Sequence, residues 1–141
     1  MYLLDTNVVS ELRKAGTGRA DPNVTRWATS VDPTLMYLSV ITVLEIEVGV
    51  LRAERRDGVQ GRLLREWLER QVLPAFAGRV LPIDTAVARR CLRMLVPNPK
   101  ADRDALIAAT AAVHALTVVT RNTADFRATG VSLLDPWTYD P

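Results

Sequence analysis

Short apolar runs alternate with longer helical patterns along the whole chain, and that alternation leaves few architectures open. Residues 2–4, 35–40, 80–83, 116–120 and 131–134 read as strands, the fourth through its β-branched run Thr117-Val118-Val119-Thr120. Between them, residues 8–13, 22–30, 85–95, 104–115 and 123–127 read as helices. So do a long stretch from Ile41 carrying Leu44, Val48 and Leu51, and a stripe of Leu63, Leu64, Trp67, Leu68, Val72 and Leu73. Strands that alternate with helices imply a mostly parallel sheet covered on both faces. The expected fold is α/β, a three-layer α/β/α sandwich with a mostly parallel central sheet. At 141 residues the chain has the size of one ordinary domain, so a single domain over 1–141 is expected.

Punctuation falls where such a fold needs it. Asp5-Thr6-Asn7 is a polar corner between the first strand and its helix. Gly16, Gly18, Asp21 and Pro22 mark a loop, Asp57-Gly58 breaks the long third helix, and Pro74 is expected to stop the next one. Pro97, Asn98 and Pro99 form a loop into an alanine-rich helix whose small side chains permit close packing.

Composition then limits the chemistry. Apolar residues make up 48% and charged residues 24%, which suits an ordinary globular core. The start, Met1-Tyr2-Leu3-Leu4-Asp5, has no basic region or long apolar segment of a signal peptide, and no apolar run approaches the roughly 20 residues needed to span a bilayer. A cytoplasmic protein with no membrane attachment is expected. Cys91 is the only cysteine and His114 the only histidine, so disulfides, thiolate metal clusters, paired-histidine nuclease chemistry and multi-histidine metal sites are excluded within one chain. What remains are carboxylates, hydroxyls and arginines. The net charge of +2 is small, but Lys14 and Lys100 are the only lysines, and arginine is the better fork for phosphate.

In open parallel sheets ligands bind beyond the carboxyl ends of the strands. Asp5 closes the first strand, Glu45 follows the second, and Asp125 follows the fourth. Carboxylates gathered at one edge raise each other's pKa unless a cation neutralises them, and hard oxygen donors without histidine or thiolate favour Mg²⁺ or Mn²⁺. Such a site suits phosphodiester hydrolysis by metal-activated water. Each acid also has a plainer reading: Asp5 as a helix cap, Asp102 and Asp104 as acids favoured at a helix start, Asp125 as a cap, and one of Glu45 and Glu47 as surface charge. Thr6, Ser39, Thr120 and Asn122 lie at the same edge, where hydroxyls and amides orient acids and water or simply shape turns. Arg121 beside them could meet phosphate. His114, late in an apolar helix, reads as structural, and Trp27, Trp67 and Trp137 are too scattered for a base-stacking platform.

Four blocks in order carry a resemblance. They are Leu4-Asp5-Thr6-Asn7-Val8-Val9-Ser10-Glu11, then Ser39-Val40-Ile41-Thr42-Val43-Leu44-Glu45 with Gly49, then Asp104-Ala105-Leu106-Ile107-Ala108-Ala109-Thr110-Ala111, then Thr120-Arg121-Asn122-Thr123-Ala124-Asp125-Phe126. Together they resemble the PIN-domain family, in particular VapC toxins and their FitB-like relatives, over essentially the whole chain. The resemblance implies a Mg²⁺- or Mn²⁺-dependent endoribonuclease, the toxin of a type II toxin-antitoxin system, that forms a homodimer, is inhibited by a VapB-like antitoxin and meets operator DNA only through it. It assigns the acidic quartet to Asp5, Glu45, Asp104 and Asp125, placing Asp104 in the site where the strand-end rule does not. It gives Thr6 and Asn7 to the first motif and Thr120 to a hydroxyl that supports the last acid, and leaves Asp102 and Glu47 outside.

Other classes fit less well. A phosphatase of the haloacid-dehalogenase type needs an acid where Asn7 stands, and a receiver-like module needs a lysine where Arg121 stands. A PIN-type module that binds RNA without cutting it is the remaining alternative, and the complete quartet speaks against it.

Overall fold

A computed structural model describes residues 1–96 and 102–141; the loop at Pro97, Asn98 and Pro99 lies outside the described residues. The chain begins with β1 (Tyr2–Leu4), α1 (Thr6–Arg13) and α2 (Pro22–Ser30), then β2 (Met36–Ser39), α3 (Val40–Arg56), α4 (Gly58–Trp67) and the single turn α5 (Leu73–Ala75). It continues through β3 (Val80–Leu81), α6 (Thr85–Leu95), α7 (Asp102–His114), β4 (Thr117–Val119), α8 (Thr123–Phe126) and β5 (Leu133–Leu134). The strands are shorter than their apolar runs. The runs end in buried residues such as Ser39, which pairs with Leu81 and also caps the next helix, and Thr120, whose hydroxyl bonds Asp5 just past the end of β4.

All four strand pairings are parallel, in the order β3-β2-β1-β4-β5. β1 therefore lies between a first half of the chain that builds outward to one side and a second half that builds to the other. The carboxyl ends of β1 and β4 flank the point where the order reverses, which is where open α/β sheets leave a crevice. Leu4 pairs with Val119, so the next residues, Asp5 and Thr120, emerge side by side at that crevice.

Alternation along the strands divides the core in two. Leu4, Leu38 and Val119 face one layer with Val8, Trp27, Ile46, Val50 and Leu68. Leu3 and Val118 face the other with Ile107, Ala108, Ala111 and Phe126. Leu3 and Leu4 are both fully buried, as the central strand of a sandwich requires. α7 packs against the sheet and α6 through Ala105, Ala108, Ala109 and Ala111, where small side chains let helix backbones come close.

One helical expectation changes. Pro74 does not stop the helix that carries the Leu63-Leu64-Trp67-Leu68 stripe: the chain runs on through a wider turn at Leu68–Val72, in which the Leu73 N–H bonds the Leu68 carbonyl, and Pro74 sits inside α5. The missing N–H of Pro74 is absorbed by this shift of register. The stripe itself is mostly used internally, with Leu68 buried, Leu64 and Trp67 packed against the first core layer, and Leu63 left exposed. Among the described residues, no helix is long and apolar enough to cross a membrane.

Candidate active site

Asp5 is a buried acid of the crevice, held by three hydrogen bonds. It is 6% exposed, and as the N-cap of α1 its Oδ1 accepts the Thr6 N–H at 2.8 Å. Its Oδ2 accepts the Thr120 hydroxyl at 2.8 Å and the Asn7 amide at 3.3 Å. Thr120 Oγ1 in turn accepts the Asn7 amide at 3.2 Å and the Asn122 N–H at 3.0 Å, and Asn7 Oδ1 accepts the Arg121 N–H at 3.2 Å. Residues from the loops after β1 and β4 are thus sewn together across the crevice. Burial pushes the Asp5 carboxyl above its ordinary value and the charge of Asp125 adds to this, while the bonds from Thr120, Thr6 and Asn7 hold it down.

Glu45 comes from the second turn of α3. Its Oε1 accepts the Thr6 hydroxyl at 2.9 Å, and its Oε2 lies 4.0 Å from Arg103 Nη1. Asp104 stands in the first turn of α7. Partial burial, then repulsion from Asp5, Asp125 and Glu45, pushes its carboxyl up to about 6. Asp125 is exposed on α8, and its charge reaches both Asp5 and Asp104. The four acids therefore share one electrostatic environment, although among the described residues no three acids are arranged to hold a metal ion with the side chains as they stand. The donor chemistry nevertheless fits a hard divalent cation: among the described residues the possible ligands here are carboxylate, hydroxyl and amide oxygens, with no histidine or thiolate, and mutual repulsion is the condition a cation relieves.

The remaining sequence candidates divide. Asn122 sits at the start of α8 and makes its bond through its backbone, and Ser39 is buried as the N-cap of α3, its Oγ accepting the Ile41 N–H at 3.0 Å. Ser39 is thus occupied by the helix start. Thr120 supports the first acid, Asp5, where the resemblance gives it to the last. Glu47 is ion-paired with Arg65 at 2.7 Å, and Asp102 is exposed with its charge acting on Cys91. His114 is exposed in the last turn of α7, at the far end of that helix from Asp104.

The PIN domain model matches residues 2–131. The chain belongs to the PIN-domain family. Toxin FitB of Neisseria gonorrhoeae is 42% identical to it over 144 residues, 97% of this chain and 99% of that protein. VapC ribonuclease Y4jK of Sinorhizobium fredii is 39% identical over 142 residues, 97% of this chain and 98% of the relative. A solved structure of FitAB bound to a DNA fragment superposes with a TM-score of 0.88 at 37% identity, covering 100% of this chain and 99% of the other.

Two residues of this PIN domain's crevice escape a reading by motif. Arg103 approaches Glu45, and the only signal for it is its place beside Asp104. Trp137 lies under the Arg121 guanidinium, 5.1 Å from ring centroid to the Arg121 carbon, so the arginine flanking the crevice is braced by a face-on cation contact. Nothing in the chain near Arg121 announces a partner sixteen residues downstream in the final turn.

Proposed function

We propose that this PIN domain, acting as a single domain over residues 1–141, is the toxin of a type II toxin-antitoxin pair, an endoribonuclease that hydrolyses RNA phosphodiesters with a bound divalent cation. Its relatives support this by name, as a VapC ribonuclease and a FitB toxin, and divalent-metal dependence is general among ribonucleases of the family. The observation that carries the reading is Asp5, a carboxylate buried at the switch point of the sheet, fixed by three donors, and within the electrostatic reach of Asp125 and, through Asp104, of Glu45.

Asp5, Glu45, Asp104 and Asp125 would hold the cation. When bound, it supplies charge neutralisation at the crevice and Lewis acidity toward phosphate and water. Mg²⁺ is the preferred ion and Mn²⁺ the substitute, because all-oxygen donors select small hard cations. Thr120, Asn7 and Thr6 lock the Asp5 and Glu45 carboxylates in place, so little side-chain entropy is left to lose when the ion enters. Asn122 shapes the loop that brings Asp125 to the edge, and Ser39 starts the helix that carries Glu45. Arg121, braced on Trp137, faces a phosphate without having to be ordered first. Solved structures of FitAB on a DNA fragment and of a toxin-antitoxin complex support a VapB-like antitoxin as partner, and the reading adds operator DNA met through that antitoxin and a homodimer.

The test is purified protein incubated with total RNA and Mg²⁺, Mn²⁺ or chelator, followed by sequencing of RNA ends. New ends that appear with Mg²⁺ and disappear in Asp104→Asn are expected. Identical ends in the active and substituted proteins would overturn the reading.

A further inference from the structure

The acidic crevice does not explain the arginines of α6. That helix reads Thr-Ala-Val-Ala-Arg-Arg-Cys-Leu-Arg-Met-Leu, with three arginines and no acid. Val87 and Cys91 are its buried stripe against Ala105 and Ala109 of α7, which leaves Arg89, Arg90 and Arg93 on the exposed side. The three converge with Ala86 and Val113 on a hollow of about 230 Å³. Arg90 also lines a neighbouring hollow of about 280 Å³ that includes Thr117, Thr129 and Ser132. Among the described residues none of the three makes an ion pair, whereas Arg65 on α4 binds Glu47, Glu54 and Glu69 at once.

An unpaired arginine cluster has a plain alternative, a solvated face that merely keeps the protein soluble. Two features count against it. Three guanidinium groups around one hollow repel each other unless an anion joins them. The hollow lies toward the opposite end of α7 from Asp104 yet within a strand's reach of it: Val113 is nine residues along α7 from Asp104, a rise of about 13 Å, and Arg103, one residue from Asp104, stands beside Glu45. That interval suits a few nucleotides of extended strand. The other exposed arginine set, Arg52, Arg55 and Arg56 at the end of α3, shares its helix with Glu45, Glu47 and Glu54 and forms a surface of mixed sign.

The geometry points to Arg89, Arg90 and Arg93 as a docking site for the phosphate backbone of the RNA substrate, on the flank of α6 and α7, holding the strand a few nucleotides from the bond that is cut. This rests on the ribonuclease reading and extends it to a second contact region. Arginine forks on phosphate carry no sequence information, so the row sets affinity and register and leaves base choice to the crevice.

The test uses the full chain in two backgrounds. In Asp104→Asn, which binds without cutting, a fluorescent twelve-nucleotide single-stranded RNA is titrated at several salt concentrations against three proteins. These are the parent, the triple change Arg89→Gln, Arg90→Gln, Arg93→Gln, and the charge-matched control Arg52→Gln, Arg55→Gln, Arg56→Gln. The α6 triple should weaken binding at least tenfold and lower the salt slope by about 2, three single-strand phosphate contacts' worth. The control should change affinity less than threefold. In the active background, the α6 triple should raise KM for the twelve-mer with little change in kcat and leave cleavage of a dinucleotide, too short to reach the row, unchanged. Arg93→Gln alone, with a thermal melt, guards against a folding defect. Equal losses in the two triples, which would mean net charge alone, or an α6 triple that binds RNA like its parent, would overturn the proposal while leaving the ribonuclease reading standing. A parent that neither binds nor cuts RNA would overturn both.

Discussion

A single carboxylate here does two jobs that pull in opposite directions. Asp5 starts α1 as its cap and accepts bonds from Thr6, Asn7 and Thr120, yet burial and Asp125 oppose its charge. Asp5→Asn replaces an acceptor by an amide facing the Asn7 donor, so it should lower stability by about 1 kcal/mol as well as abolish Mg²⁺ binding and cleavage. Asp104 is different, being repelled by three acids with no side-chain hydrogen bond to lose among the described residues. Asp104→Asn should also abolish Mg²⁺ binding but leave the metal-free fold as stable or more so. Asp102→Asn and Glu47→Gln should bind Mg²⁺ like the parent, and calorimetric titration with parallel melts checks all four; equal loss of metal in both pairs would place the site around the wrong acids. The same repulsion predicts a pH effect. A carboxyl raised from 3.8 to about 6 in the folded protein contributes stability that is fully present below 3.8 and lost as pH rises through 6. The metal-free protein should therefore melt higher at pH 5 than at pH 7.5, and much of that difference should vanish in Asp104→Asn. A melting temperature that is flat over this window would remove the electrostatic argument.

Among the elements, the α3–α4 hairpin has the least room for change. Asp57 ends α3 and caps α4, its Oδ1 accepting from Val59 and Gln60. One turn later Gly61 is buried against the other helix, and a Cβ placed there would lie 2.5 Å from Glu54 Cα and 2.7 Å from Glu54 N. Both are backbone atoms and cannot swing aside. Gly61→Ala should cost about 2 to 3 kcal/mol, read as a lower midpoint of denaturant unfolding; a variant as stable as the parent would show that the hairpin can open without loss. The helix gain of alanine over glycine, about 1 kcal/mol, works against this cost and does not cancel it. At the end of α7, Ala115 takes a left-handed backbone at φ 56° so that the Leu116 N–H can reach the Ala111 carbonyl at 2.9 Å and turn the chain into β4.

For the molecule as a whole, the sheet order brings the candidate site residues together and the core takes up most of the α4 stripe. With Leu64, Trp67 and Leu68 packed inward, the apolar surface left for a second copy is elsewhere, as in the exposed row of Val40, Leu44 and Leu51 on α3. Such a row on the outer face of a helix is the surface a second copy would cover. Light scattering of the protein without antitoxin should give a particle of twice the 15.6 kDa chain, and a monomer at micromolar concentration would contradict the homodimer.

The layers, the parallel sheet and the Asp5-Thr6-Asn7 corner are legible in the sequence because they depend on local periodicity and on where polar residues interrupt it. A single histidine and a single cysteine likewise restrict the chemistry before any coordinates exist. Periodicity is silent on what happens across the sheet. It cannot show that Thr120 serves Asp5 rather than Asp125, since the two residues meet only because β1 and β4 are neighbours with Leu4 set against Val119. Nor can it tell that Ser39 is spent on a helix start, that Trp137 braces Arg121, or that three arginines of α6 converge on one hollow. Pairing order and helix packing bring distant residues together, and those are properties of the whole chain that no window of the sequence contains.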